Sequence, residues 1–250
     1  MKEKIFAGID LAWTENNETG ICLINGNGEI IFSQSGVYSN NDIVRLFLNS
    51  EITDKKEVCI GIDAPLIFPE DSQEYRNAER DLKRTKINGF HISSFQVSKE
   101  YMKRAYKGSR GEDIAGYLVK KHKKFSYTDR IFTHSHEVVE TFPTGITAGI
   151  FPEIFPAGYK LKGKISDSLK GYAVLYEKIK IFEEQKIISG FAMNFEMPEN
   201  NLKRKEYKKF EDKIDAFLCA FGLFLVYKNL ASELYFGDTK KGLIFLPLKQ

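Results

Sequence analysis

The tripeptide Gly-Ile-Asp ends two apolar runs, KIFAGID at 4–10 and EVCIGID at 57–63. Each run reads as a buried β-strand that finishes on an acid, Asp10 in one and Asp63 in the other. A carboxylate taken from water without a partner costs several kcal/mol or takes up a proton. If the two strands are neighbours, both acids reach one end of a sheet, where a shared positive partner can meet them.

The pattern between and around these runs says what kind of sheet this is. Residues 19–25 and 29–37 are β-rich and joined by Asn25, Gly26, Asn27 and Gly28, a hairpin signal. Only WTENNE separates the first strand from the second, so the first three strands form an antiparallel meander. SNNDIVRLFLNS, 39–50, has helical spacing behind a capping signal and supplies the crossover that a parallel fourth strand needs. That strand, EVCIGIDAPLIF at 57–68, is continuously apolar, as in a central parallel position. The next apolar run, HEVVETFP, comes only at 136–143. The charged, helix-favouring stretch between them is too long for a bare loop and reads as a helical insertion over about 66–135. The last third reads as mostly helical, with DKIDAFLCAFGLFLVYKNL and a short strand-like tail, GLIFLPL. The order predicts a single α/β domain over 1–250. Its core is a ribonuclease-H-like mixed five-stranded sheet flanked by helices, with the insertion between strands four and five.

Two further acids join the pair. Glu140 sits near the end of strand five in VVETFP, and Asp215 lies in the first turn of the long C-terminal helix, with Asp212 three residues before it. That helix is apolar nearly all round and must lie on the sheet. Asp215 shares a face with the small residues Cys219 and Gly222, which allow close approach. Crowded carboxylates repel unless a cation neutralises them. Mg²⁺ or Mn²⁺, hard ions with oxygen ligands, answer that need and suit phosphodiester hydrolysis. The expected metal set is Asp10, Asp63, Asp215, Glu140 and Asp212, with the first four as the catalytic group. Each has a plainer reading beside it: a strand-end turn residue for Asp63, a Lys or Arg partner in the insertion for Glu140, a helix N-terminal charge for Asp212.

GIDLAW, GIDAPL, VVETFP and DKIDAFLCA, followed by GDTKKGLIFLPL, resemble an uncharacterised ribonuclease-H-like family, domain of unknown function number 429, described as predicted nucleases. RNAERDLKR at 76–84, with Arg76 and Arg80, belongs to the same resemblance. It implies the fold and a carboxylate site. Residues 86–135 match no motif of it.

Composition narrows the partners only a little. Net charge is +3, but ten Lys and Arg stand against four Asp and Glu between Lys99 and Arg130. A basic insertion beside an acidic centre suits nucleic acid, with Tyr101, Tyr106, Phe125 and Tyr127 available for base stacking. The alternative is a solvated helical surface. Cys22, Cys59 and Cys219 lie far apart in apolar runs and read as core residues. His134 and His136 in THSHE, with Glu140, fall short of a transition-metal set. KGSRGED at 107–113 lacks phosphate-loop spacing and reads as a mobile loop, and Trp13 reads as a packing residue. With no leader pattern and no long apolar run, the chain is expected to be cytoplasmic and without a membrane partner. The leading function is a metal-dependent nuclease. A binding module on the same fold is the alternative, set apart by absent metal binding. A sugar-kinase-type phosphotransferase would need two domains, and Gly-Ile-Asp motifs 53 residues apart are too close for that.

Overall fold

In the computed structural model, residues 2–49, 54–198 and 202–250 are described. Strand β1 (Glu3–Asp10) lies in the middle of the sheet. It pairs antiparallel with β2 (Glu18–Asn25), which pairs antiparallel with β3 (Ile30–Val37). Helix α1 (Asn40–Leu48) follows, capped by Ser39, whose side chain accepts from the Asp42 N–H while Asp42 reaches back to the Ser39 backbone. Residue 50, the last of the expected helix, lies outside the described residues. The crossover delivers β4 (Lys56–Asp63) parallel to β1 on its other side. β8 (His136–Thr141) pairs parallel with β4.

The sheet does not stop at five strands. The C-terminal residues form a hairpin, β9 (Ala231–Asp238) and β10 (Gly242–Lys249), and β10 adds parallel to β8. A two-residue β7 (Ser126–Tyr127) also pairs with β8, so the sheet has eight strands among the described residues, in the order β3-β2-β1-β4-β8-β10-β9 with β7 to one side. The expected count of five is therefore corrected. β9 is an edge strand with mostly half-buried residues, so ASELYFGD carries no continuous apolar run to announce it.

The insertion is also less helical than expected. It holds α2 (Asn77–Arg84), a small hairpin of β5 (Lys86–Ile87) and β6 (Phe90–His91), α3 (Lys99–Tyr106), and α4 (Arg110–Ala115) running into a π-helical turn over 116–121. Helices cover less than half of residues 66–135, and irregular backbone, packed against the strand ends, makes up most of the rest.

Period-two alternation splits the core. Ile5, Ala7 and Ile9 of β1 and Val58, Ile60 and Ile62 of β4 face α1 and α4, packing with Ile43, Phe47, Ile114 and Leu118. Phe6 and Cys59 belong to the opposite face, with α5 (Pro143–Ile150), α6 (Ile165–Glu184), the single-turn α7 (Phe191–Asn194) and α8 (Arg204–Tyr227). Cys22, Cys59 and Cys219 are free and buried in this half. Among the described residues no helix is long and apolar enough to cross a membrane.

Candidate carboxylate site

Asp10 and Asp63 are direct partners in the parallel ladder between β1 and β4. Neighbouring strands lie about 4.8 Å apart, so the two carboxylates leave the sheet side by side from the C-terminal ends of their strands. Alternation sets their face. Asp10 follows Phe6 and Gly8, and Asp63 follows Cys59 and Gly61, so both acids turn toward α8.

The glycines decide how close that helix comes. A Cβ at Gly8 would stand 1.9 Å from the Ala216 carbonyl oxygen, and one at Gly20 would stand 2.0 Å from that of Asp212. Only bare backbone at these two positions lets α8 lie against β1 and β2. Asp212 and Asp215, both buried, are thereby delivered to the end of β1 where Asp10 sits; α8 begins at Arg204, so they lie inside the helix and not at its first turn as expected.

The four aspartates interact, and the chain neutralises them unevenly. Asp215 accepts a hydrogen bond from the Tyr159 hydroxyl at 2.5 Å and pairs with Lys160 Nζ at 2.9 Å. Asp212 pairs with Lys208 Nζ at 2.6 Å, and Lys208 also reaches Glu211 at 2.8 Å. Asp10 has no cation of its own and hydrogen-bonds to Asp212. Burial, reinforced by Asp215, Asp63 and Asp212, raises the Asp10 pKa well above the ordinary range. Burial also pushes Asp63 up, to about 7, with Lys160 pulling down and Asp215 pushing up. Two lysines thus serve four aspartates and Glu211. Among the described residues, the carboxyls of this group left without an ion pair of their own are Asp10 and Asp63.

Glu140 borders the same cavity but comes from the other face of the sheet. It pairs with Ile62 in the β4–β8 ladder, one residue short of Asp63, and so takes the parity of Ile62 and Val138. Its side chain leaves the opposite face. There both of its oxygens accept from Arg76 Nη2 at 2.7 Å, and one accepts from the Leu66 N–H at 3.1 Å. Arg76 is wholly buried, faces Glu79 at 3.4 Å as well, and leaves its Nε and Nη1 without hydrogen bonds among the described residues. Burial raises the pKa of both Glu79 and Glu140, Glu140 to about 8. The plainer expectation, a basic partner from the insertion, describes Glu140 as it stands.

A cavity of about 200 Å³ opens over Asp10 and Asp63, walled by Trp13, Phe95, Met102 and Arg110. Arg110 organises this wall. Its guanidinium donates to the carbonyls of Ala12 at 3.0 Å, Thr14 at 3.1 Å and Tyr38 at 2.8 Å, and to Asn40 Oδ1 at 2.8 Å. Ser109 donates to the Pro65 carbonyl at 3.2 Å, and a Cβ at Gly111 would stand 2.4 Å from that same oxygen. KGSRGED is therefore a fixed brace across the two Gly-Ile-Asp strand ends, where the sequence predicts a mobile loop. Trp13 packs on Tyr106 and is 40% exposed at the cavity mouth.

Sequence reasoning missed Lys160, Lys208 and Arg110. Lys208 had a local signal, because Glu211 and Asp212 stand three and four residues on along a helix. Lys160 lies in an irregular loop, and nothing local ties it to Asp215. The two histidines sit at the start of β8, away from Glu140 at its end; His134 hydrogen-bonds to Thr133 and His136 packs on Phe125. No group of three or more His, Cys, Asp or Glu among the described residues is disposed to enclose a metal ion. Asp10 and Asp63 still form a fit for one. They are two hard oxygen donors, the number that Mg²⁺ commonly takes from protein while keeping waters and substrate phosphates.

Fold and site together define a mixed α/β protein with an acidic pair at the carboxyl ends of adjacent parallel strands. The family model described as "Protein of unknown function (DUF429)" matches residues 8–222, and the chain belongs to that family. The match ends before the β9–β10 hairpin. No curated protein and no solved structure matches the chain.

Proposed function

We propose that this protein is a metal-dependent phosphodiesterase of the nuclease type, acting at Asp10 and Asp63. The observation that carries the reading is this in-register pair of carboxyls without a cation among the described residues, open to a cavity while the neighbouring acids are committed to a lysine or an arginine. The strand order β3-β2-β1-β4-β8 supports a ribonuclease-H-like core, extended here by β10 and β9.

Asp10 and Asp63 would hold Mg²⁺ or Mn²⁺. The ion supplies a nucleophile at neutral pH and neutralises charge on the phosphate. Lys160, fixed by Asp215, keeps a cation beside the pair, where it stabilises charge that develops on a phosphoryl oxygen. Tyr159 locks Asp215 in turn, and the Tyr207 hydroxyl donates to the Tyr159 carbonyl at 2.6 Å, so Lys160 is held on a rigid support. Asp212 stands within hydrogen-bond reach of Asp10 and limits its orientation. Glu140 acts at a distance: with Arg76 and the Leu66 N–H it ties the insertion to the sheet.

Hydrolysis of bis(p-nitrophenyl) phosphate and of single-stranded, duplex and hybrid oligonucleotides, each with Mg²⁺, Mn²⁺ or EDTA, tests this. Cleavage should require the ion and fall at least about 100-fold in Asp63→Asn. Full activity in EDTA, or in that variant, contradicts it. Metal binding without cleavage of any substrate would favour a binding module instead.

A further inference from the structure

The cavity over the acids has a second character, set by aromatic rings and a basic groove. Trp13 stacks on Tyr106 with centroids 4.9 Å apart and planes at 20°. Tyr106 meets Tyr101 edge-on at 6.3 Å, and Tyr101 meets Phe95 at 5.3 Å. The two ends of this array, Trp13 and Phe95, both line the cavity, and Phe95 is 63% exposed. Large apolar rings left in water at the mouth of an acidic site, each backed by another ring, form a preorganised stacking surface. Phe125 takes no part, because it is buried under the sheet, and Tyr127 is half-buried with its hydroxyl on the Leu243 carbonyl.

Volume limits what can enter. About 200 Å³ is below the roughly 300–1,000 Å³ of sites for drug-sized ligands, so the cavity takes a single ring system. A groove between α3 and α4 shares Ser109 with the cavity wall and is lined by Lys99, Lys103, Lys107, Lys120 and Lys121. Two acids, Glu112 and Asp113, also line it, and Lys99 is spent on Glu112 at 2.7 Å. The other four lysines carry no ion pair among the described residues. The groove is therefore net positive and meets the cavity wall at Ser109, with the acids Asp10 and Asp63 in the cavity beyond it. A cavity that takes a single ring system admits one unpaired base and not a base pair.

We propose that cavity and groove form a track for single-stranded nucleic acid, with one unpaired base against Trp13 and Phe95 and the backbone along Lys103, Lys107 and Lys120. The placement of a phosphodiester at Asp10 and Asp63 rests on the phosphodiesterase reading; the stacking and the basic track do not. Base stacking on aromatic rings beside a positive groove is the usual physics of sequence-tolerant single-strand binding.

Trp13 is the single tryptophan of the chain, so its emission reports on the cavity directly. The probe set is oligothymidylate and oligouridylate of about 12 nucleotides, a duplex of equal length, and the free mononucleotides. Each is titrated into Asp10→Asn, which prevents cutting, in EDTA and in Mn²⁺. Single strands should quench the emission saturably and bind at least about tenfold tighter than duplex or mononucleotide. Phe95→Ala, an exposed position that folding tolerates, should weaken single-strand binding about fivefold or more. Lys103→Ala with Lys107→Ala should flatten the slope of log affinity against log salt by about 1.4. No quenching by either single strand, equal binding of duplex, mononucleotides as tight as the strands, or an unchanged salt slope each overturns the track. Quenching by a wild-type protein that cuts nothing would leave the track and remove the hydrolase; metal-dependent cleavage without quenching would do the reverse.

Discussion

At Asp63 the folded chain keeps a proton that the unfolded chain gives up. Burial lifts its pKa from an ordinary 3.8 to about 7, and Asp10 is raised further in the same direction. Between those values the unfolded state has lost the proton while the folded state retains it, so ionisation costs stability as pH rises. Glu140, lifted to about 8, adds to the slope in the same sense. Urea unfolding of the metal-free protein should therefore show stability falling from pH 5 to pH 8, and Asp63→Asn should reduce that fall. A stability that climbs over this range would show that the acids are stabilised as anions. Reading strand ends from the sequence found Asp10 and Asp63 because each closes an apolar run on the same tripeptide. It could not separate Glu140 from them. VVETFP also ends a strand on an acid, and only the ladder register reveals that Glu140 stands beside Ile62 and on the other face.

Two elements turn these residues into a site. Helix α8 supplies Asp212 and Asp215 because Gly8 and Gly20 leave room for its backbone. Gly8→Ala would drive a methyl into the Ala216 carbonyl, and the helix must shift or the strand must bend. The expected loss is about 3 kcal/mol, read as a lower urea midpoint with an unchanged slope. Wild-type stability in this variant would mean that α8 does not press on β1. The helix was legible from its all-round apolar pattern, and its inward face from the spacing of Asp215, Cys219 and Gly222. The second element, the α4 brace with Arg110, was not. Its partners are carbonyls of Ala12, Thr14 and Tyr38, which have no sequence signature, and its glycines imitate a loop. β9 escaped notice for a related reason: an edge strand buries too little for its alternation to stand out.

Across the whole molecule the charges divide by place. The carboxyl ends of β1 and β4 carry uncompensated acid, the insertion carries the basic groove, and Arg76 with Glu140 and Glu79 joins insertion to sheet out of reach of solvent. This division was visible in outline as a basic segment interrupting an acidic strand set. Which acids are already neutralised was not, because Lys160, Lys208 and Arg76 meet their partners only after the chain has folded. The central claim is that Asp10 and Asp63 are the pair free to take an ion, while Glu140, on the same cavity, is held by Arg76. Titration of Mn²⁺ by electron paramagnetic resonance, counting free ion, tests it on three proteins: wild type, Asp63→Asn and Glu140→Gln. Wild type and Glu140→Gln should bind the ion with the same affinity within about threefold, even though Glu140→Gln loses about 3 kcal/mol of stability by stranding a buried arginine. Asp63→Asn should bind at least about tenfold more weakly, since it removes one of two carboxylate ligands. Full affinity in Asp63→Asn, or its loss in Glu140→Gln while that protein remains folded, would contradict the account.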